Sequence, residues 1–223
     1  NLMKNPAVIS DLTISGLSYS SQLFGDVLLK NQWDNNKAVI DSKLRVTKNN
    51  RINLDARGTY DPANGKFNFD AIADSISLMV LEPFIEGSLT DYKGYGSGRM
   101  NISGTLDKIL MNGALMGDGA GLTIEPTRVA YTFNDSVYFK NDTILFDHIT
   151  IYDDQNNTGI FNGTLVHDNF SNTRYNLRLT SNKIRALNTT VHDNEKFYGV
   201  AFASGRMDIT GLAKNINLTS FIK

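Results

Sequence analysis

Strict alternation of apolar and polar residues limits what this chain can become more than any other feature. In RYNLRLTS, residues 174–181, Tyr175, Leu177 and Leu179 alternate with Arg174, Asn176 and Arg178. Successive side chains of an extended strand point to opposite faces, so a period of two gives one apolar and one polar face. The same pattern runs through INLDA (Ile52, Leu54), KFNFDA (Phe67, Phe69), RMNIS (Met100, Ile102), RVAYTF (Val129, Tyr131, Phe133), HITIY (Ile149, Ile151) and RMDIT (Met207, Ile209). Each reads as a half-buried strand.

Turn-forming sequences separate these runs. YDPANGK at 60–66 places Pro62 and Asn64-Gly65 between two of them, and DDQNNTG (153–159) and HDNFSN (167–172) are rich in Asp, Asn and Ser. Strands joined by tight turns pair antiparallel as a meander, whereas a parallel sheet needs long crossovers. SLMVLEPFIEGSL departs from the pattern with a dense apolar run broken by Pro83, and a short helical turn is expected over residues 78–87.

The chain also repeats itself. SGRMNISG at 97–104 returns as SGRMDITG at 204–211, VLLKN at 27–31 as VYFKN at 137–141, and RGTYDPANGKFNFDA at 57–71 as NGTLVHDNFSNTRYNLRL at 162–179. The offsets are 107, 110 and 105, with 108 from Phe67 to Tyr175. Echoes in the same order at near-constant spacing predict two tandem sheet units of about 107 residues, at approximately 24–115 and 134–220. Each unit would present unpaired strand edges that its neighbour can meet, giving one continuous sheet across residues 1–223. On alternation alone, an ordinary β-sandwich is the competing fold.

Composition removes several functions. The 22 basic and 23 acidic residues leave a net charge of −1, so no broad positive field exists for nucleic acid, and none is expected as a partner. The absence of cysteine excludes disulfides and thiolate metal sites. No apolar run approaches the roughly 20 residues that span a bilayer, and NLMKNPAVIS has no signal-like apolar stretch. The chain begins and ends in mid-pattern and reads as a segment of something longer.

Candidate chemistry is sparse. His167-Asp168 and His192-Asp193 lie in polar, turn-like stretches without a second histidine at metal-ligand spacing, and read as solvated turn residues. DDQNNTG fails as a calcium loop, because Thr158 and Thr164 stand where Gly and Glu are needed. GYGSG and GDGAG precede alternating runs and not helices, so they read as turns or bulges and not as phosphate cradles. The sequons at Asn101, Asn134, Asn141, Asn162, Asn169, Asn188 and Asn217 describe an Asn- and Thr-rich surface. No catalytic, cofactor-binding or metal-ligating residue is expected, and the chain is not read as an enzyme.

Several phrases resemble a known family. FGDVLLKNQWDNNKAVIDSKL, Leu81-Glu82-Pro83-Phe84, Gly104-Thr105-Leu106-Asp107-Lys108 and Leu187-Asn188-Thr189-Thr190 look like the C-terminal region of the TamB (translocation and assembly module) family in its Bacteroidetes form, from about Phe24 onward. Ile109-Leu110 stands where a proline is common in that family, which bears on a turn. The resemblance implies a relative of AsmA-like and bridge-type lipid-transfer proteins. It would be anchored in the inner membrane by a segment absent from this chain and would cross the periplasm toward an outer-membrane barrel of the Omp85 class, similar to TamA or TamL.

The expected fold is therefore all-β: an elongated antiparallel meander curled into a half-open, β-taco-like trough, with at most one short helical turn. The sixteen alternating apolar residues named above, from Ile52 to Ile209, are expected to line its groove. They would shelter phospholipid acyl chains or an unfolded strand of an outer-membrane protein, without any cofactor. Cut edges would let copies of the chain associate edge to edge. The rival functions are a surface-exposed β-sandwich or adhesin module that binds glycans, and a parallel β-helix lyase or hydrolase.

Overall fold

Strands form wherever the period of two is kept. In the computed structural model, which describes residues 9–19, 22–79, 89–168, 171–193, 198–212 and 215–222, the chain runs β1 (Ile9–Tyr19), β2 (Gln22–Asp34), β3 (Val39–Lys48), β4 (Arg51–Asp61), β5 (Lys66–Ser77), β6 (Leu89–Thr105) and β7 (Lys108–Ile124). It continues through β8 (Val129–Phe133), β9 (Ser136–Asn141), β10 (Thr143–Tyr152), β11 (Thr158–Asp168), β12 (Ser171–Thr189), β13 (Gly199–Leu212) and β14 (Asn215–Ile222). A 3₁₀ turn, Glu125–Thr127, carries Pro126 and ends at Arg128 in the left-handed region, φ 54°.

The strands hydrogen-bond in chain order into one fourteen-stranded sheet, with β9 set beside β10 and β7. The described ladders are antiparallel. That pairing removes the parallel β-helix, and a single meander replaces the two sheets of a sandwich.

The turn sequences act as expected. Pro62 to Gly65 joins β4 to β5, and the ladder closes at Asp61 opposite Lys66. Of the helical turn expected over 78–87, Leu78 and Met79 have 3₁₀ conformation, and residues 80–87 lie outside the described residues. GYGSG and GDGAG are not turns but lie within β6 and β7, where positive φ at Gly94 and Gly119 marks irregular positions. His167 is not a solvated turn residue: it lies in β11 and is buried. Its polar neighbours in sequence misled, because burial depends on what the strand end packs against.

The duplicated motif occupies the end of a long strand in both places. Gly104 (φ 118°) stands one residue before the end of β6, and Gly211 (φ 112°) one residue before the end of β13. A Cβ on Gly104 would stand 2.1 Å from the Lys108 carbonyl oxygen, and one on Gly211 2.4 Å from that of Asn215. Both positions thus exclude a side chain for the same reason: the returning backbone passes four residues later. The motif encodes the closing arm of a hairpin.

Two compact units divide the chain, one of residues 1–76 with 97–115 and one of residues 77–96 with 116–223; β6 and β7 contribute to both. In the first unit, cross-strand register builds apolar rows on one face. One row runs Ile14, Val27, Val46, Leu54, Ala73, and the next Leu12, Leu29, Leu44, Ala56, Ala71. A third row is polar at one end: Asn31 donates to Ser10 Oγ at 3.1 Å, and Ser42 donates to Asn31 Oδ1 at 2.7 Å. Beyond it lies Trp33, Ile40, Tyr60, Phe67. The opposite face pairs charges, across strands in Arg45–Asp55 and along β4 in Arg57–Asp55, both at 2.9 Å.

Candidate functional site: the apolar face of the second unit

Directly opposed residues on adjacent strands share a face, so the register fixes which side chains meet. In the second unit one row runs Ile149, Phe161, Leu179, Met207. The next runs Val137, Phe146, Gly163, Leu177, Ile209, and a third Phe139, Ile144, Leu165, Tyr175, Gly211. Phe146 and Ile149 keep to one face although three residues apart, because a bulge at Asp147-His148 absorbs the extra residue. His148, at φ 53°, donates its amide to Asn162 Oδ1 at 2.7 Å and so fixes the bulge.

This face is sealed at one end of the strands and half-open at the other. Ile149 and Val129 are each 1% exposed. Ile149, Ile151, Leu179 and Ile184 form a dry cluster against which Tyr131, Phe133, Val137, Phe146, Phe161 and Met207 pack. Ile144, Leu165 and Tyr175 are only half-buried. Leu177 lies between the two regimes and is buried.

The seal has a polar frame. Past the end of β10, the distal part of β12 approaches β8, and the Tyr131 hydroxyl donates to the Arg185 carbonyl at 2.7 Å. The Arg185 amide donates to Asp153 Oδ2 at 2.8 Å, and Asp153 also accepts from the amides of Gln155 and Asn157 and from the Asn157 side chain. Burial alone would raise the Asp153 carboxyl, but these hydrogen bonds outweigh it and hold it below the usual range. Burial, with a smaller push from the Asp153 charge, raises the Tyr131 phenol to about 12. Arg185 Nη1 pairs with Asp154 at 2.5 Å, and Arg128 ties the 3₁₀ turn to the turn after β12 through Asp193 at 3.2 Å.

The sequence-expected groove residues thus separate. Tyr131, Phe133, Ile149, Ile151, Leu179 and Met207 belong to the sealed cluster, with Val129 and Leu177 also buried. Tyr175 and Ile209 are half-buried. In the first unit Leu54, Phe67, Phe69, Met100 and Ile102 are half-buried, whereas Ile52 is 44% exposed. A register shift between Val46 and Thr47 interrupts the alternation before it reaches Ile52. Sequence reading missed Val137, Phe146, Phe161 and Ile184. Tyr138 and Ile160 hide two of these inside continuous apolar runs, and bulges displace the other two from the period of two.

Among the described residues, no group of three or more His, Asp or Glu is placed to hold a metal ion. What the arrangement offers is apolar surface, worth roughly 25 cal/mol per Å² removed from water. Fold and face together define an all-β protein built as a one-sided antiparallel meander. Residues 147–223, about the last third of the chain and the part that carries β11 to β14, match the family model of the TamB C-terminal domain. No curated protein and no solved structure matches the chain.

Proposed function

We propose that the chain is a non-enzymatic segment of a TamB-like protein of the periplasm. Its apolar face shelters phospholipid acyl chains, or an unfolded strand of an outer-membrane client, on the way to the outer membrane. The observation that carries this reading is the half-open row Ile144, Leu165, Tyr175, which continues the apolar face past its sealed part and of which Leu165 and Tyr175 fall within the stretch that matches the family model. A sealed core needs no such continuation, whereas a surface that receives cargo does.

In the full-length protein, the inner membrane holds one end and an Omp85-class barrel of the TamA or TamL kind receives the other. The two tandem units lengthen one half-open trough, a reading supported by the shared backbone geometry of Gly104 and Gly211. A photo-crosslinking amino acid placed at Leu165 or Tyr175 of the full-length protein in cells tests the reading. It should capture lipid or a client polypeptide, while the same group at Lys43, on the polar face of β3, should not. Equal capture at all three positions, or none at Leu165 and Tyr175, removes the face from any cargo path. Capture of glycan in place of either cargo would favour the adhesin alternative.

A further inference from the structure

The polar faces of the two units are built differently. In the first, cations meet carboxylates: Lys30 pairs with Asp11 at 3.5 Å, Arg51 with Asp74 at 3.1 Å, and Arg45 and Arg57 share Asp55. In the second, strands β12, β13 and β14 carry Arg174, Arg178, Lys183, Arg185 and Arg206 but Asp208 alone among acidic residues. Asp208 takes both Arg178, at 2.7 Å, and Arg206, at 3.1 Å, and Arg185 is matched by Asp154 from outside these strands. Positive charge remains in excess on this face of a chain whose net charge is −1.

The same face exposes large apolar side chains. Phe221 is 57% and Val200 62% exposed, and Phe202 and Ile160 are also exposed. Register sets Ile160, Thr180, Arg206 and Phe221 in one line across four strands, and alternation along β13 puts Val200 and Phe202 on the side of Arg206. Each exposed ring lies beside cations. The Arg206 guanidinium is 4.7 Å from the Phe221 centroid, and Lys183 and Arg185 are 4.9 and 5.4 Å from that of Phe202.

We propose that this face of β12–β14 docks on an anionic lipid surface. Charge complementarity requires an anionic partner, and the exposed rings select among anions. An acidic peptide would use the cations and leave Val200, Phe202 and Phe221 in water. At a bilayer surface both demands are met at adjacent depths: apolar side chains enter the boundary between headgroups and acyl chains, and guanidinium and ammonium groups reach the phosphates. This inference concerns the polar face and does not rest on the reading of the apolar one.

Vesicle co-sedimentation of the intact chain tests it, with phosphatidylcholine vesicles made with and without phosphatidylglycerol. Binding is expected only to the anionic vesicles, falling as salt is raised. The double variants Lys183→Gln/Arg206→Gln and Phe202→Ser/Phe221→Ser should each lower partitioning roughly tenfold or more. Lys30→Gln/Lys43→Gln in the first unit should leave it unchanged. A second readout does not depend on removing side chains. With Trp33, the sole tryptophan, replaced by Phe, Phe221→Trp should shift its emission to the blue on adding anionic vesicles and not on adding neutral ones. Equal binding to neutral vesicles, no binding at all, or an unshifted Phe221→Trp emission overturns the proposal. Binding that survives Phe202→Ser/Phe221→Ser and is competed away by soluble polyglutamate overturns it in favour of an acidic polypeptide.

Discussion

Tyr131 belongs to the apolar face by alternation, yet its hydroxyl helps close that face by donating to the Arg185 carbonyl at 2.7 Å. Tyr131→Phe keeps the ring and leaves the carbonyl without this donor, so urea unfolding should show a loss of about 1 kcal/mol. The phenol is pushed up to about 12, whereas in the unfolded chain it titrates near 10. Stability from the protonated phenol is therefore whole below about 10 and is lost as pH rises from there toward 12. Tyr131→Phe should flatten that alkaline decline, and an unchanged slope would mean another group causes it. Packing sorts the neighbouring residues as well. Ile149→Ala empties a site closed to solvent and should cost about 2–5 kcal/mol, whereas Tyr175→Ala, at a half-buried position, should cost clearly less.

Among the elements, the hairpins that carry the duplicated motif are the most constrained. Gly104→Ala and Gly211→Ala each force a methyl group toward a carbonyl oxygen at a φ that side chains rarely adopt, so each should destabilise by more than about 1 kcal/mol. Thermal melts of the two single variants would read this, and a silent Gly211→Ala would show that the two hairpins are not built alike. Besides its ladder to β13, the distal arm of β12 is tied toward the β10–β11 turn by few groups, and Asp153 is the centre of them, accepting from the amides of Gln155, Asn157 and Arg185. Asp153→Ala should raise hydrogen exchange at residues 184–189 before it changes β11, because β11 keeps its ladder to β10.

For the whole molecule, buried titratable groups set the pH range of stability. His167 is buried, and desolvation holds its imidazole below its ordinary value despite the opposing charges of Asp142 and Asp168. The unfolded chain accepts that proton near 6.5. Stability is thus complete above about 6.5 and falls as pH drops below it, until the lowered folded value is passed. Unfolding midpoints should be flat between the acid and alkaline limits, and His167→Gln should remove the first step of the acid limb. β1 and β14 stand at the two ends of the strand order. Their outer ladder groups favour edge-to-edge association, so sedimentation at rising concentration should show larger species, and a strictly monomeric chain would mean that the edges are protected.

Alternation and turn chemistry by themselves determined that the chain is an antiparallel meander, because both are local: Tyr175, Leu177 and Leu179 have only one way to share a face, and Pro62 to Gly65 only a turn to form. The repeated motif was legible for the same reason, since a glycine that must let backbone pass four residues later is a local demand. DSKLRVTK, residues 41–48, alternates as cleanly as RYNLRLTS, and Leu44 and Val46 could have been read from it. What sequence could not decide is where one continuous apolar face is dry and where it is open. That depends on bulges at residues 147–148 and near 182–183, which shift the face by one residue, and on the β12 arm meeting β8 across more than fifty residues of chain, from Tyr131 to Arg185. Ile149 and Tyr175 read alike in the sequence; only the tertiary structure puts one under that arm and leaves the other at the open rim, because burial is set by what lies opposite in space.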